Sequence, residues 1–248
     1  MLASGNPSGE ITFTLPVGEE AGTSKCHKLS DFKSDYTCGV SLQMTFTAML
    51  NFPGTHSWYV DGNLITGQNG VSFTHDFSVK GPHLVKHSFE LNGEVITTEK
   101  EVEVFEIMQG FTISSNHQIT VGNGYDEEIV ISGDMVIENN ALVVIGTEMT
   151  LRFCGANSKL IIEPGSTLYL NGKLTDLGDQ TWKGVEVLGN LQPQTSSLVK
   201  GKFFGMPPAI IENAKVAISN GAKFTWSYGG HIICNRMLFL KYRGLKEL

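Results

Sequence analysis

The chain has 248 residues, long enough for one large or two ordinary domains, and its net charge of −7 with no cluster of Lys and Arg argues against a phosphate-backbone partner. Charged residues make up 17% and apolar residues 41%, and the 28 glycines favour many turns, so the composition points to an all-β protein rather than a helical enzyme. No window approaches the roughly 18 apolar residues of a membrane span.

In chain order, residues 1–10 are rich in Gly, Ser, Pro and Asn and are read as a loose N-terminus. The opening MLASGNPSGEITF lacks the basic and apolar regions of a signal peptide, which leaves two readings: a protein that stays inside, or a segment separated from its export signal. ITFTL (11–15) alternates as a first strand. Cys26 and Cys38 enclose a stretch, KLSDFKSDYT, read as a polar loop, and a disulfide across it is one of two open states. Cys154 and Cys234 are read as small buried hydrophobes without partners.

Strand patterns follow at VSLQMTFTAML (40–50), HSWYVDGNLI, VSFTHDFSV (71–79), HLVKHSFEL (83–91) and VITTEKEVEVF (95–105). Turn signals at Asp61-Gly62 or Gly62-Asn63, at Lys80-Gly81-Pro82 and at Asn92-Gly93 separate them, the last being a type I′ hairpin signal. Six or seven strands in about 100 residues suggest a β-sandwich over 11–105. Trp58, Asp61, Gly62, His75, Phe77, Gly81 and Val85 stand in an order that resembles PKD-like, immunoglobulin-type domains, across roughly residues 40–105. That family usually reads W-D-F-G-D-G, whereas this chain keeps only Asp61-Gly62 and has no aromatic after the later Gly. The resemblance implies an immunoglobulin-like sandwich serving as a spacer or as a protein or sugar contact module.

Residues 106–128 read as a connector or cap, with Phe111, Ile113, Ile119 and Val121 available to a first solenoid edge. From residue 129 short apolar triplets alternate with glycine breaks. KLIIEPGSTLYL (159–170) and KVAISNGAKFTW (215–226) match position for position, and IVISGDMVI (129–137) and LVVIGTEMTL (142–151) are read as looser copies. Three-residue strands joined at Gly corners cannot bury a face alone and must stack on copies of themselves, the mark of a parallel β-solenoid over 129–248. Coils of about 20 residues are expected.

WKGVEVLGN (182–190), IENAKVAI and the later GGHII together resemble a right-handed parallel β-helix module of large secreted or surface proteins from Bacteroidetes-type bacteria, over residues 120–248. In the longer members PKD-like domains neighbour this module and a sorting domain directs type IX export. No sorting domain is recognisable here and the last coil reads as cut short, so the chain is read as a fragment. An open last coil is an edge for end-to-end self-association.

For chemistry, no Gly-x-Ser-x-Gly, P-loop or dinucleotide fingerprint occurs, and no catalytic, cofactor-binding or metal-binding residue is assigned. The acidic stretch from Asn123 through Asp126, Glu127 and Glu128 could offer Ca²⁺ its oxygens but lacks any calcium-loop pattern and is read as a solvated corner. Asp176, Asp179, Lys183 and Glu186 are the nearest thing to a polysaccharide-cleaving set, yet Lys183 and Glu186 fall on opposite parities of one strand. Trp182 and Trp226 are weighed as sugar platforms and read as packing residues, whose indole N–H needs one partner. Asn139, Asn140, Asn157, Asn213, Asn220 and Asn235 read as corner residues bonding to the neighbouring coil. The seven His read as surface or sandwich-edge residues, with no carboxylate or Cys at metal spacing beside the His56/His75 or His83/His87 pairs. The expected protein is therefore a non-catalytic extracellular or cell-surface module, structural or adhesive. Its expected partner is a polysaccharide or a surface protein, with no nucleic acid, no membrane insertion and no cofactor. The competing reading is a carbohydrate-active β-helix.

Overall fold

The computed structural model of the chain describes residues 29–178, 181–189, 200–212, 214–219, 222–226, 231–233 and 241–243. Readings that fall elsewhere, namely the 1–10 segment, the ITFTL strand, Cys26, Asp179, Asn213, Asn220, Cys234, Asn235 and the end of the last coil, lie outside the described residues. So does the Trp226 side chain. Two compact units divide the chain, one holding residues 42–105 with the strand before Cys38, the other holding Cys38–Ser41 and everything from Glu106.

The first unit contains β1 (Phe32–Tyr36), β2 (Gln43–Ala48), β3 (Thr55–Val60), β4 (Asn63–Leu64), β5 (Ser72–Asp76), β6 (Gly81–Leu91) and β7 (Glu94–Val104). All pairings are antiparallel, and they give one sheet ordered β1-β2-β5 and a second ordered β4-β3-β6-β7. Alternation does the work expected of it. Met44, Phe46 and Ala48 on β2 and Trp58 and Val60 on β3 are buried on one parity and meet Phe32, Phe73, Val85 and Val104 in a single apolar cluster. At Asp61-Gly62 and Asn92-Gly93 both residues have positive φ, as two-residue type I′ hairpins require.

Two readings are corrected in this unit. KLSDFKSDYT is not a plain polar loop, because Phe32 to Tyr36 form β1 and the Phe32 ring is buried against Trp58 at 5.5 Å. Nor are all the His peripheral. His56 and His87 are buried, their rings stack at 5.2 Å, and His87 also stacks on Trp58 at 4.1 Å. The Ser30 carbonyl accepts from His87 Nδ1 (2.8 Å), so the neutral His87 ring offers Nε2 as acceptor to His56 Nδ1–H (2.9 Å). His83 does meet a carboxylate, Asp61, at 2.7 Å.

Burial holds the His87 ring below its ordinary range; the Ser30 bond opposes this and the neighbouring His56 adds to it. Burial lowers His75 as well. A His depressed in the folded state contributes stability that is present above its unfolded value near 6.5 and is lost as pH falls through that value toward the folded one. Denaturant unfolding followed by Trp58 fluorescence is therefore expected to show a falling midpoint between pH 7 and pH 5. The limiting slope is about 1.4 kcal/mol per pH unit for each proton taken up. A flat profile over that window contradicts this account of the pair.

The second unit is a β-solenoid. It begins with β8 (Ile107–Ile113), β9 (His117–Ile119), β10 (Glu128–Ile137) and β11 (Leu142–Ile145). The next turn is β12 (Thr150–Cys154), β13 (Lys159–Ile162) and β14 (Thr167–Leu170), and the one after it β15 (Lys173–Asp176), β16 (Gly184–Val187) and β17 (Lys202–Gly205). Then come β18 (Ile210–Glu212), β19 (Val216–Ser219), β20 (Lys223–Trp226), β21 (His231–Ile233) and β22 (Lys241–Arg243). Every pairing among these strands is parallel, and together they make about four turns of three faces each.

The first face stacks the front half of β10 with β12, β15, β18 and β21; the second stacks the back half of β10 with β13, β16, β19 and β22; the third is β9-β11-β14-β17-β20. Strand β8 lies along both halves of β10, so the parallel ladders reach back into the stretch read as a connector. Val130 pairs with Arg152, 22 residues on, and Ile137 with Ile162, 25 on, so an early turn is slightly longer than expected, whereas Lys173 pairs with Ile210, 37 on.

Side chains pile in columns because the strands are in register. Ile137, Ile162, Val187 and Ile218 are successive partners on the second face, and on the third face the Phe203 and Phe224 rings stack at 4.6 Å, close to the spacing between strands. The two sequence copies at 159–170 and 215–226 are the same corner two turns apart, β13-β14 and β19-β20. The looser two are different corners: IVISGDMVI bends within β10 from the first face to the second, and LVVIGTEMTL runs from β11 on the third face to β12 on the first.

Candidate functional site

The disulfide readings are overturned by a bond between Cys38 and Cys154, 116 residues apart with Cα atoms 5.4 Å from each other. Cys38 is therefore not available to Cys26, and Cys154 is not a free thiol. Local context brings the two together: Gly39 accepts from Gln109 Nε2 and the Ser41 hydroxyl from the Ile107 amide, which lays Cys38–Ser41 along β8. The bridge walls a cavity of about 830 Å³ at the corner between the first and second faces, with Asp134, Asn157, Lys159 and Lys183 around it. Glu186 bonds Lys159 at 2.8 Å and holds its ammonium above the ordinary range.

A polar cluster lies on the first face. Glu128, Thr150, Lys173 and Ile210 form one row along successive strands, and Arg152 and Thr175 are neighbours in the next. The Arg152 fork donates to both oxygens of Glu128, through Nη2 at 2.8 Å and Nε at 3.2 Å. Lys173 Nζ meets Glu212 Oε2 at 2.7 Å. Between the rows, Thr175 Oγ1 lies 3.0 Å from Asp176 Oδ1 and 3.2 Å from Glu212 Oε2, so its single hydrogen serves one carboxylate at a time.

Asp176 is only 7% exposed and pairs in register with the inward Phe153. A carboxylate in that position needs hydrogen-bonded company, which Thr175 supplies. Trp182 is packed, as its sequence reading had it: the indole lies flat on Phe153 at 4.4 Å and its N–H donates to the Glu212 carbonyl at 2.9 Å.

Of the four residues singled out by sequence, Asp179 lies outside the described residues, and the structure groups none of the other three with another. Asp176 sits in the first-face cluster, Lys183 is exposed at the corner cavity, and Glu186 is outward on β16 beside Lys159. The parity argument does not apply to Lys183, which precedes β16. The Thr175 hydroxyl beside Asp176 also reaches Glu212, a carboxylate that no sequence spacing indicated.

Two-carboxylate sugar cleavage needs one carboxyl that keeps its proton and another that stays ionised, with the scissile bond between them. Here the Thr175 hydroxyl sits between the two carboxylates and Lys173 shares an oxygen of Glu212 with it. The cluster as it stands ties neighbouring turns together.

The Asn123 amide donates to the Gln118 carbonyl and Glu128 is held by Arg152, and among the described residues no group of three or more His, Cys, Asp or Glu is placed to hold a metal. Asn139 and Asn140 take left-handed corners, but Asn139 bonds the Glu138 side chain rather than the next coil. An Asn that does bond the next coil is Asn116, whose Oδ1 accepts the Leu142 amide at 2.9 Å. Among the described residues no helix is long and apolar enough to cross a membrane.

The architecture defines an all-β protein built around a β-solenoid. No family model, no curated protein and no solved structure matches the chain, so the resemblances rest on the residues quoted for them.

Proposed function

We propose that this chain is a non-catalytic extracellular module, structural or adhesive, in which a PKD-like immunoglobulin-type sandwich precedes a right-handed β-helix of the kind found in Bacteroidetes surface proteins. The Cys38–Cys154 bridge carries the reading, because disulfides form and persist in oxidising compartments and are rare in the reducing cytosol. Sheet orders β1-β2-β5 and β4-β3-β6-β7 support an immunoglobulin-type arrangement of the first unit. The solenoid offers long flat faces of exposed side chains, which suits contact with a polysaccharide or a surface protein.

One observation favours a second reading, a carbohydrate-active enzyme: Asp176 and Glu212 share the Thr175 hydroxyl with Lys173 alongside. A reducing-end assay over neutral and acidic polysaccharides separates the two. No release above a heat-killed control is expected, and Asp176→Asn is expected to leave that null result unchanged. Release that disappears in Asp176→Asn would establish the enzyme and end the non-catalytic reading.

A further inference from the structure

At the start of the third face an open surface groove of about 720 Å³ is lined by Asn116, His117, Gln118, Asn123, Tyr125 and Leu142, of which only His117 and Tyr125 are partly buried. Its volume is within the range of small-molecule sites. The lining has three carboxamides, two polar aromatics and one exposed leucine, and no Lys, Arg, Asp or Glu.

The fold spends only part of the hydrogen-bonding capacity there. Asn116 uses its oxygen on the Leu142 amide and keeps both N–H donors. Asn123 uses one N–H on the Gln118 carbonyl and keeps its oxygen and a second N–H. Gln118 is exposed. His117 Nε2 and Tyr125 Oη are bonded at 2.6 Å with their rings edge to face, which fixes the aromatic wall.

We infer that this groove binds a neutral sugar unit of a glycan, an inference that rests on the surface-binding part of the proposed function. Donors and acceptors side by side match the hydroxyls of a pyranose, while Leu142 and the Tyr125 ring match its C–H face. The absence of cationic lining and the net charge of −7 select against an acidic glycan or a phosphate. An added peptide strand fits less well, because the Gln118 carbonyl on edge strand β9 is already taken by Asn123.

Titration calorimetry of the full chain with short neutral oligosaccharides (gluco-, xylo- and manno-configured) and with oligogalacturonate tests this. At least one neutral series is expected to bind and the acidic one not. Gln118→Ala is expected to weaken binding about tenfold, the loss of one or two good hydrogen bonds, and Tyr125→Phe to weaken it less. Tyr169→Phe, elsewhere on the same face, is expected to change nothing, and thermal melts check that all variants fold.

No neutral binding, or binding preferring the acidic oligosaccharide, overturns the inference. Neutral binding unchanged by Gln118→Ala and Tyr125→Phe also overturns this pocket while leaving the surface-binding reading in place. Cleavage of a glycan whose affinity does depend on Gln118 would leave the pocket standing and remove the non-catalytic reading instead.

Discussion

Gly184→Ala is expected to cost the solenoid about 3–5 kcal/mol, from backbone strain and from overpacking together. Gly184 has φ +101°, a conformation that L side chains rarely adopt, and a Cβ built on it would lie 1.9 Å from the Lys215 carbonyl oxygen. That oxygen accepts the Val185 amide at 2.9 Å, so it cannot retreat without breaking the ladder between β16 and β19. The strain therefore falls on two turns at once. Chemical denaturation read by far-UV circular dichroism is the measurement, and a midpoint within error of wild type would refute this account of the corner. Glycine here is required both by φ and by the approach of the next coil, which explains the Lys-Gly-Val step inside WKGVEVLGN physically.

Removal of the Cys38–Cys154 bond is expected to have a comparable effect, about 2–4 kcal/mol, since closing a long loop restricts the unfolded chain. The double variant Cys38→Ser, Cys154→Ser and the wild type in reductant should show the same lowered midpoint, and each should differ from the oxidised wild type. If oxidised and reduced wild type unfold together, the bond contributes nothing to stability. Peptide mapping without reductant should link the Cys38 and Cys154 peptides to each other, which also checks the pairing itself.

Much of the solenoid was legible because its strands are short and its corners carry Gly or Asn, so the two copies 56 residues apart declared a repeat. What the spacing could not deliver was phase. Similar-looking segments at IVISGDMVI and LVVIGTEMTL belong to different corners, and only the pairing tells them apart. The buried His pair did leave a trace: His56 has the parity of Trp58 and Val60, and His87 that of Val85 and Phe89, so a reading by parity rather than by residue type would have placed both inside. Strand β1 was hidden because only its two end rings, the buried Phe32 and the partly buried Tyr36, anchor an otherwise polar stretch. The meeting of Asp176 and Glu212 at the Thr175 hydroxyl was out of reach, since the segment between β16 and β17 lengthens that turn and spoils any count of register. Cys38 and Cys154 are too far apart for spacing to suggest a bond, and only the fold brings their Cα atoms within bonding range.

The bridge also changes the covalent topology. Residues 38–154 form a closed ring that contains β2 to β7 and the first turns of the solenoid, while β1 precedes it. A pull on the two chain ends passes through the sulfur atoms and bypasses everything inside the ring. Only the residues before Cys38, β1 among them, and the coils after Cys154 can be drawn out until that bond is reduced.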